Sequence, residues 1–109
     1  MKKVVFPAGC MAMLLGIVMP LTAADGDPKK GQAVFDNCAI CHNSDSEDAK
    51  VGPGLKNLYK RAKLVNGKPV NDANVRELIT NGTSAMPGFD DGTISASDKD
   101  HLIAFLKGL

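Results

Sequence analysis

The apolar residues of the chain fall into one unbroken block and four short periodic ones. Residues 4–21 carry no charge at all, whereas everything after Asp25 alternates in ways that suit short helices. Asp27 before Pro28 reads as an N-cap with proline at the first helical position, and Gly31, Val34 and Phe35 at i, i+3 and i+4 predict a helix reaching about Asn37. Leu55, Leu58 and Tyr59 share a face and predict a second helix from Leu55 to about Arg61. Asp72 is placed to cap a third, in which Val75, Leu78 and Ile79 repeat at helical spacing and Gly82 is the stop. Ser95 with Asp98 three residues on resembles a capping box for a last helix that carries Leu102, Ile103, Phe105 and Leu106 inward. Asn66 and Gly67 suggest a small hairpin within residues 64–70. The pattern as a whole predicts an all-α domain of about four helices with long connections.

The unbroken block changes the domain count. Lys2 and Lys3 precede it, and "LTAAD" follows with small residues, the layout of a secretory signal cut after Ala24. Residues 1–24 are therefore expected to be removed, and Cys10 with them; an uncleaved membrane anchor is the alternative, since the uncharged run just reaches spanning length. Residues 25–109 form one domain without internal repeats. Without Lys2 and Lys3 it has 11 basic against 12 acidic residues, a balance that argues against nucleic acid as a partner. A domain this short has a barely sufficient apolar core, and such domains usually gain a disulfide, a metal or a cofactor.

"CAICH", residues 38–42, holds both remaining cysteines. A bridge between Cys38 and Cys41 would close too short a loop to add much stability. A thioredoxin-like redox pair needs a βαβ setting that the flanks "GQAVFDN" and "NSDSEDAK" lack. A structural zinc site would have to recruit Cys38, Cys41, His42 and the distant His101. C-x-x-C-H is instead the attachment signature of c-type haem: the two thiols add to the porphyrin vinyl groups and the adjacent His42 is held beneath the iron.

With "GQAVFDNCAICH", "GPGLKNLYKR", "NGTSAMPGF" and "DHLIAFLKGL" in order, nearly the whole of residues 25–109 resembles the class I c-type cytochromes. The resemblance implies a cytochrome c fold, about four helices wrapped around one covalently attached haem c. It implies that the first and last helices cross closely, with Gly31 making room for Phe105. By residue-by-residue carry-over, the Pro53 carbonyl would orient the His42 ring, Arg61 would lie near a haem propionate, and Leu55, Leu58 and Phe89 would line the haem pocket. The chain has no tryptophan, so a propionate bond that some family members make through an indole would have to come from elsewhere, with Tyr59 as the substitute.

Met86 is the one methionine after the signal, and it sits in a loop bounded by Gly82, Pro87 and Gly88. Beside a haem it becomes the expected sixth iron ligand in preference to His101, which falls on the last helix. His42 and Met86 together would fill both axial positions, which argues for a single-electron carrier working between a donor and an acceptor redox protein, and not for an enzyme. The alternatives are a haem subunit of a periplasmic dehydrogenase complex and a weak haem peroxidase. The expected protein is a soluble, exported, periplasmic monomer with no stable membrane insertion. Lys50, Lys56, Lys60, Arg61, Lys63 and Lys68 form a run without an acidic residue, either a solvated face or a surface for an acidic partner.

Overall fold

Asp27 begins the first helix as its neighbours dictate. Its backbone is extended, its carboxylate accepts the Lys29 N–H at 2.9 Å, and Pro28 occupies the first turn, where no amide donor is needed. The computed structural model describes residues 26–109; the expected signal segment, its cleavage site and Cys10 lie outside the described residues. Helix α1 spans Pro28–Val34 and tightens into a 3-10 turn over Phe35–Asn37, so the helical path ends where the sequence pattern places it.

The second expected helix is reduced to a 3-10 turn, Leu58–Lys60. Pro53 and Gly54 precede it, and Asn57 adopts a left-handed conformation at φ 64°, which breaks the helical path before it can extend. Helix α2 spans Asp72–Asn81, and its cap is Asn71 rather than Asp72: the Asn71 side chain accepts the Asn74 N–H at 2.8 Å. Asp72 is thereby free for other work, accepting the Tyr59 hydroxyl and the Lys107 ammonium, each at 3.0 Å. Gly82, at φ 70°, ends α2 as expected. Helix α3 spans Ala96–Lys107, with the Ser95 hydroxyl accepting the Asp98 N–H at 3.1 Å. The hairpin expected in residues 64–70 is a single bridge between Lys63 and Pro69 around Gly67, and no strand occurs among the described residues.

The helices meet in one core. Val75 and Ile79 of α2, Leu102 and Leu106 of α3, and Phe35 and Leu58 are all buried within it. The closest backbone approach is at Gly31, where a Cβ would lie 2.8 Å from the Cβ of Phe105 and collide with the His101 carbonyl. Glycine costs about 1 kcal/mol against alanine inside a helix, and here it lets α1 and α3 touch. Phe105 is half-buried, and its ring packs against Phe35 with centroids 5.3 Å apart and a 50° tilt, a favourable aromatic geometry.

Candidate functional site

Past Asn37 the chain keeps turning in helical fashion: the Ala39 amide donates to the Phe35 carbonyl at 2.9 Å, and the His42 amide to the Cys38 carbonyl at 2.9 Å. That winding brings Cys38, Cys41 and His42 to the wall of one large cavity of 560 Å³, within the roughly 300–1,000 Å³ typical of cofactor sites. The cavity is lined mainly by apolar side chains, among them Leu55, Leu58, Leu78 and Phe89, and Met86 lines it too. Both thiols are unbridged. Burial pushes the Cys38 thiol up to about 11, and the neighbouring Cys41 acts in the same direction.

The His42 ring is held from two sides. Its Nδ1 lies 2.7 Å from the Pro53 carbonyl oxygen. A carbonyl can only accept, so Nδ1 is the donor in this contact and Nε2 is the nitrogen left available to a metal. Against the ring lies Gly52, whose absent Cβ would stand 2.9 Å from Nδ1 and 3.1 Å from Nε2. Gly52 is fixed in turn by the hydrogen bond its amide N–H donates to the Cys41 carbonyl at 2.7 Å. Its importance escaped the sequence reading, although its place directly before Pro53 in "VGPG" was the available signal.

Met86 is presented by a loop folded back on itself. The Thr83 hydroxyl accepts the amides of Ala85 at 3.1 Å and Met86 at 3.0 Å, while the Thr83 amide donates to the Met86 carbonyl at 2.9 Å. The Phe89 amide returns to the Ile79 carbonyl at 2.8 Å, and a Cβ on Gly88 would meet the Thr80 carbonyl oxygen at 2.6 Å, so the loop is pressed against the end of α2. Thr83 is a second residue that periodicity did not reveal.

Arg61 and Tyr59 each have partners within the protein. Arg61 does not line the cavity: its Nη2 donates to the carbonyls of Gly54 at 2.8 Å and Lys56 at 2.7 Å, clamping the segment that carries Leu55. The Tyr59 hydroxyl donates to the Asp72 carboxylate at 3.0 Å, and Tyr59 is not among the residues that line the cavity. His101 lies outside the cavity, and its Nδ1 accepts the Asp27 amide at 2.8 Å. Among the described residues no set of three or more His, Cys, Asp or Glu side chains is placed to hold a metal by itself.

The donor set therefore fits haem c: two thiols one turn apart, an imidazole with a free Nε2, a thioether and an apolar cavity of cofactor size. Comparison with known proteins agrees. A family model described as cytochrome C oxidase, cbb3-type, subunit III matches residues 26–106. Cytochrome c6 of Synechocystis sp. is 39% identical over 99 residues, covering 89% of this chain and 78% of that protein. Cytochrome c2 of Rhodoblastus acidophilus is 30% identical, covering 74% of this chain and 91% of that protein. A cytochrome bc1 complex cytochrome c subunit from Corynebacterium efficiens is 32% identical over 82 residues, which is only 25% of its own length. With its CxxCH thiols at Cys38 and Cys41 and these relatives, the chain belongs to the class I monohaem c-type cytochromes, electron-transfer proteins that carry haem c bound through two cysteines.

Proposed function

We propose that this protein is a single-electron carrier with His42 and Met86 as axial ligands, working outside the cytoplasm between a donor and an acceptor redox protein. The observation that carries the reading is that His42, with Nε2 free, and Met86 line the same apolar cavity. Haem c supplies, when bound, a one-electron couple between ferric and ferrous iron. The residues of this chain do the rest. Pro53 and Gly52 hold the imidazole, Leu55, Leu58 and Phe89 keep water away, and Arg61 secures the wall by its bonds to Gly54 and Lys56. A thioether ligand in a dry cavity favours the ferrous state and a high reduction potential. With His42 and Met86 both held on the iron, no coordination site would be open to a substrate.

Met86→Ala should lower the reduction potential, abolish the sulfur-to-iron charge-transfer band of the oxidised protein and admit carbon monoxide to the ferrous form. His101→Ala should alter none of these, because His101 is engaged with Asp27 away from the cavity. A parent protein that binds carbon monoxide readily and turns over peroxide would replace the carrier with the peroxidase reading. A second reading, a haem subunit of a larger complex, draws on the likeness to a segment of the Corynebacterium bc1 subunit. Co-purification of the native protein with a fixed partner would favour it.

A further inference from the structure

Lys99 is the one buried charged residue among the described residues, with no exposed surface at all. A lysine in that position is costly unless its ammonium is paired and hydrogen-bonded. Its Nζ donates to the Thr80 hydroxyl at 2.9 Å and to the Asp91 carboxylate at 2.7 Å. Thr80 lies in the last turn of α2, just before the Met86 loop begins, and Asp91 lies just beyond the loop's far end. The two partners therefore bracket the segment that presents Met86, and one charge on α3 holds both of its ends.

Asp91 is well fixed for this task. The preceding Asp90 carboxylate accepts the amides of Gly92 and Thr93 and the Thr93 hydroxyl, and the Ile94 amide donates to the Asp90 carbonyl at 3.0 Å, so the turn is closed on itself by hydrogen bonds. The Asp91 side chain itself is 70% exposed. Water could solvate it equally well alone, so the bond gains little for Asp91 and acts instead to fix the position of the loop. Within the loop, the Thr83 contacts set the local shape around Met86 but do not join the loop to α3.

We infer that Lys99 is a positioning residue for the sixth ligand: its buried ammonium, bridging Thr80 and Asp91, keeps the Met86 loop closed over the cavity and so keeps the thioether on the iron. This deepens the proposed His42/Met86 ligation and rests on it. Lys99→Leu is the direct test, since it fills the slot with an apolar chain and introduces no second thioether; Asp91 is exposed enough to be solvated without its partner, so the change leaves no buried charge unpaired. Losing a tether made of charged hydrogen bonds should shift loop opening about tenfold or more. The expected result is about tenfold faster carbon monoxide binding to the ferrous protein, a weakened charge-transfer band and a lower potential, with the thermal midpoint retained. Thr80→Val and Asp91→Ala should shift the same readouts in the same direction by less, and they serve if Lys99→Leu does not fold. Unchanged band, potential and carbon monoxide kinetics in the variants that fold would overturn the inference. Met86→Ala measured alongside separates the two ideas. If it leaves the parent spectrum intact, the ligand assignment fails and the inference with it; if it abolishes the band while the tether variants keep theirs, only the role of Lys99 fails.

Discussion

At Gly52 a single missing carbon decides whether the His42 imidazole can lie where the Pro53 carbonyl holds it. A methyl group there would stand 2.5 Å from Cε1 and 2.9 Å from Nδ1, distances that real Cβ atoms do not tolerate, and the ring would have to turn. Turning it lengthens the 2.7 Å contact with the Pro53 carbonyl, which fixes the tautomer. Gly52→Ala should therefore disturb the haem spectrum and lower the reduction potential while leaving the two thioether bonds in place. Absorption spectra and haem staining on a denaturing gel would show the two effects separately. The same small scale explains why some of the site could be read from the sequence and some could not. Cys38, Cys41 and His42 fall within five consecutive residues in a chemically specific order, so spacing alone points to them. Gly52 and Lys99 act on residues well separated along the chain, which no local period encodes, and Thr83 acts within its own loop, where no helical period runs.

Among the elements, α1, α2 and α3 were legible because each pairs a cap with a repeated apolar face, and the two signals agree. The segment from Leu55 to Arg61 has the face without a cap. Asn57 enters the left-handed region, and one 3-10 turn is all that forms. The mistaken choice of Asp72 over Asn71 as cap has a physical root as well. Both residue types cap helices equally well, and the structure uses Asp72 to tie the Leu58–Lys60 turn to α2 and α3 through Tyr59 and Lys107. That tie has a consequence at high pH. Burial, the hydrogen bond to Asp72 and the Asp72 charge all raise the Tyr59 phenol above its ordinary value, so the folded state favours the protonated form. Its contribution is fully present below the unfolded pKa of about 10. It is lost as pH rises through the higher folded value, because the unfolded chain releases the proton first. Tyr59→Phe should therefore lose less stability than the parent as pH climbs past about 10. Denaturant unfolding of both proteins at a series of alkaline pH values is the check, and parallel curves would mean that the tie carries no pH dependence.

For the molecule as a whole, charge is nearly balanced in total but not along its surface. The run from Lys50 to Lys68 contains no carboxylate, yet its members are differently employed. Lys50 reaches the Ala39 carbonyl at 2.7 Å, Arg61 is committed to Gly54 and Lys56 carbonyls, and Lys68 pairs with Glu77 at 2.7 Å. Lys56 and Lys60 are exposed on either side of Asn57. They belong to the segment that carries Leu55 and Leu58 into the cavity wall, so a partner drawn to them would dock beside the cavity. Long-range attraction of this kind raises the association rate more than it deepens the bound state, and it is screened over about 8 Å at physiological ionic strength. If these lysines steer an acidic redox partner, the bimolecular electron-transfer rate should fall as salt is added. Replacing Lys56 and Lys60 together by Glu should slow the reaction at low salt and flatten or reverse its salt dependence. The haem spectrum and potential should stay as in the parent, because neither side chain lines the cavity. Stopped-flow measurement against the physiological partner at several ionic strengths decides the matter, and equal rates for parent and variant would make the basic run a solvated face with no part in docking.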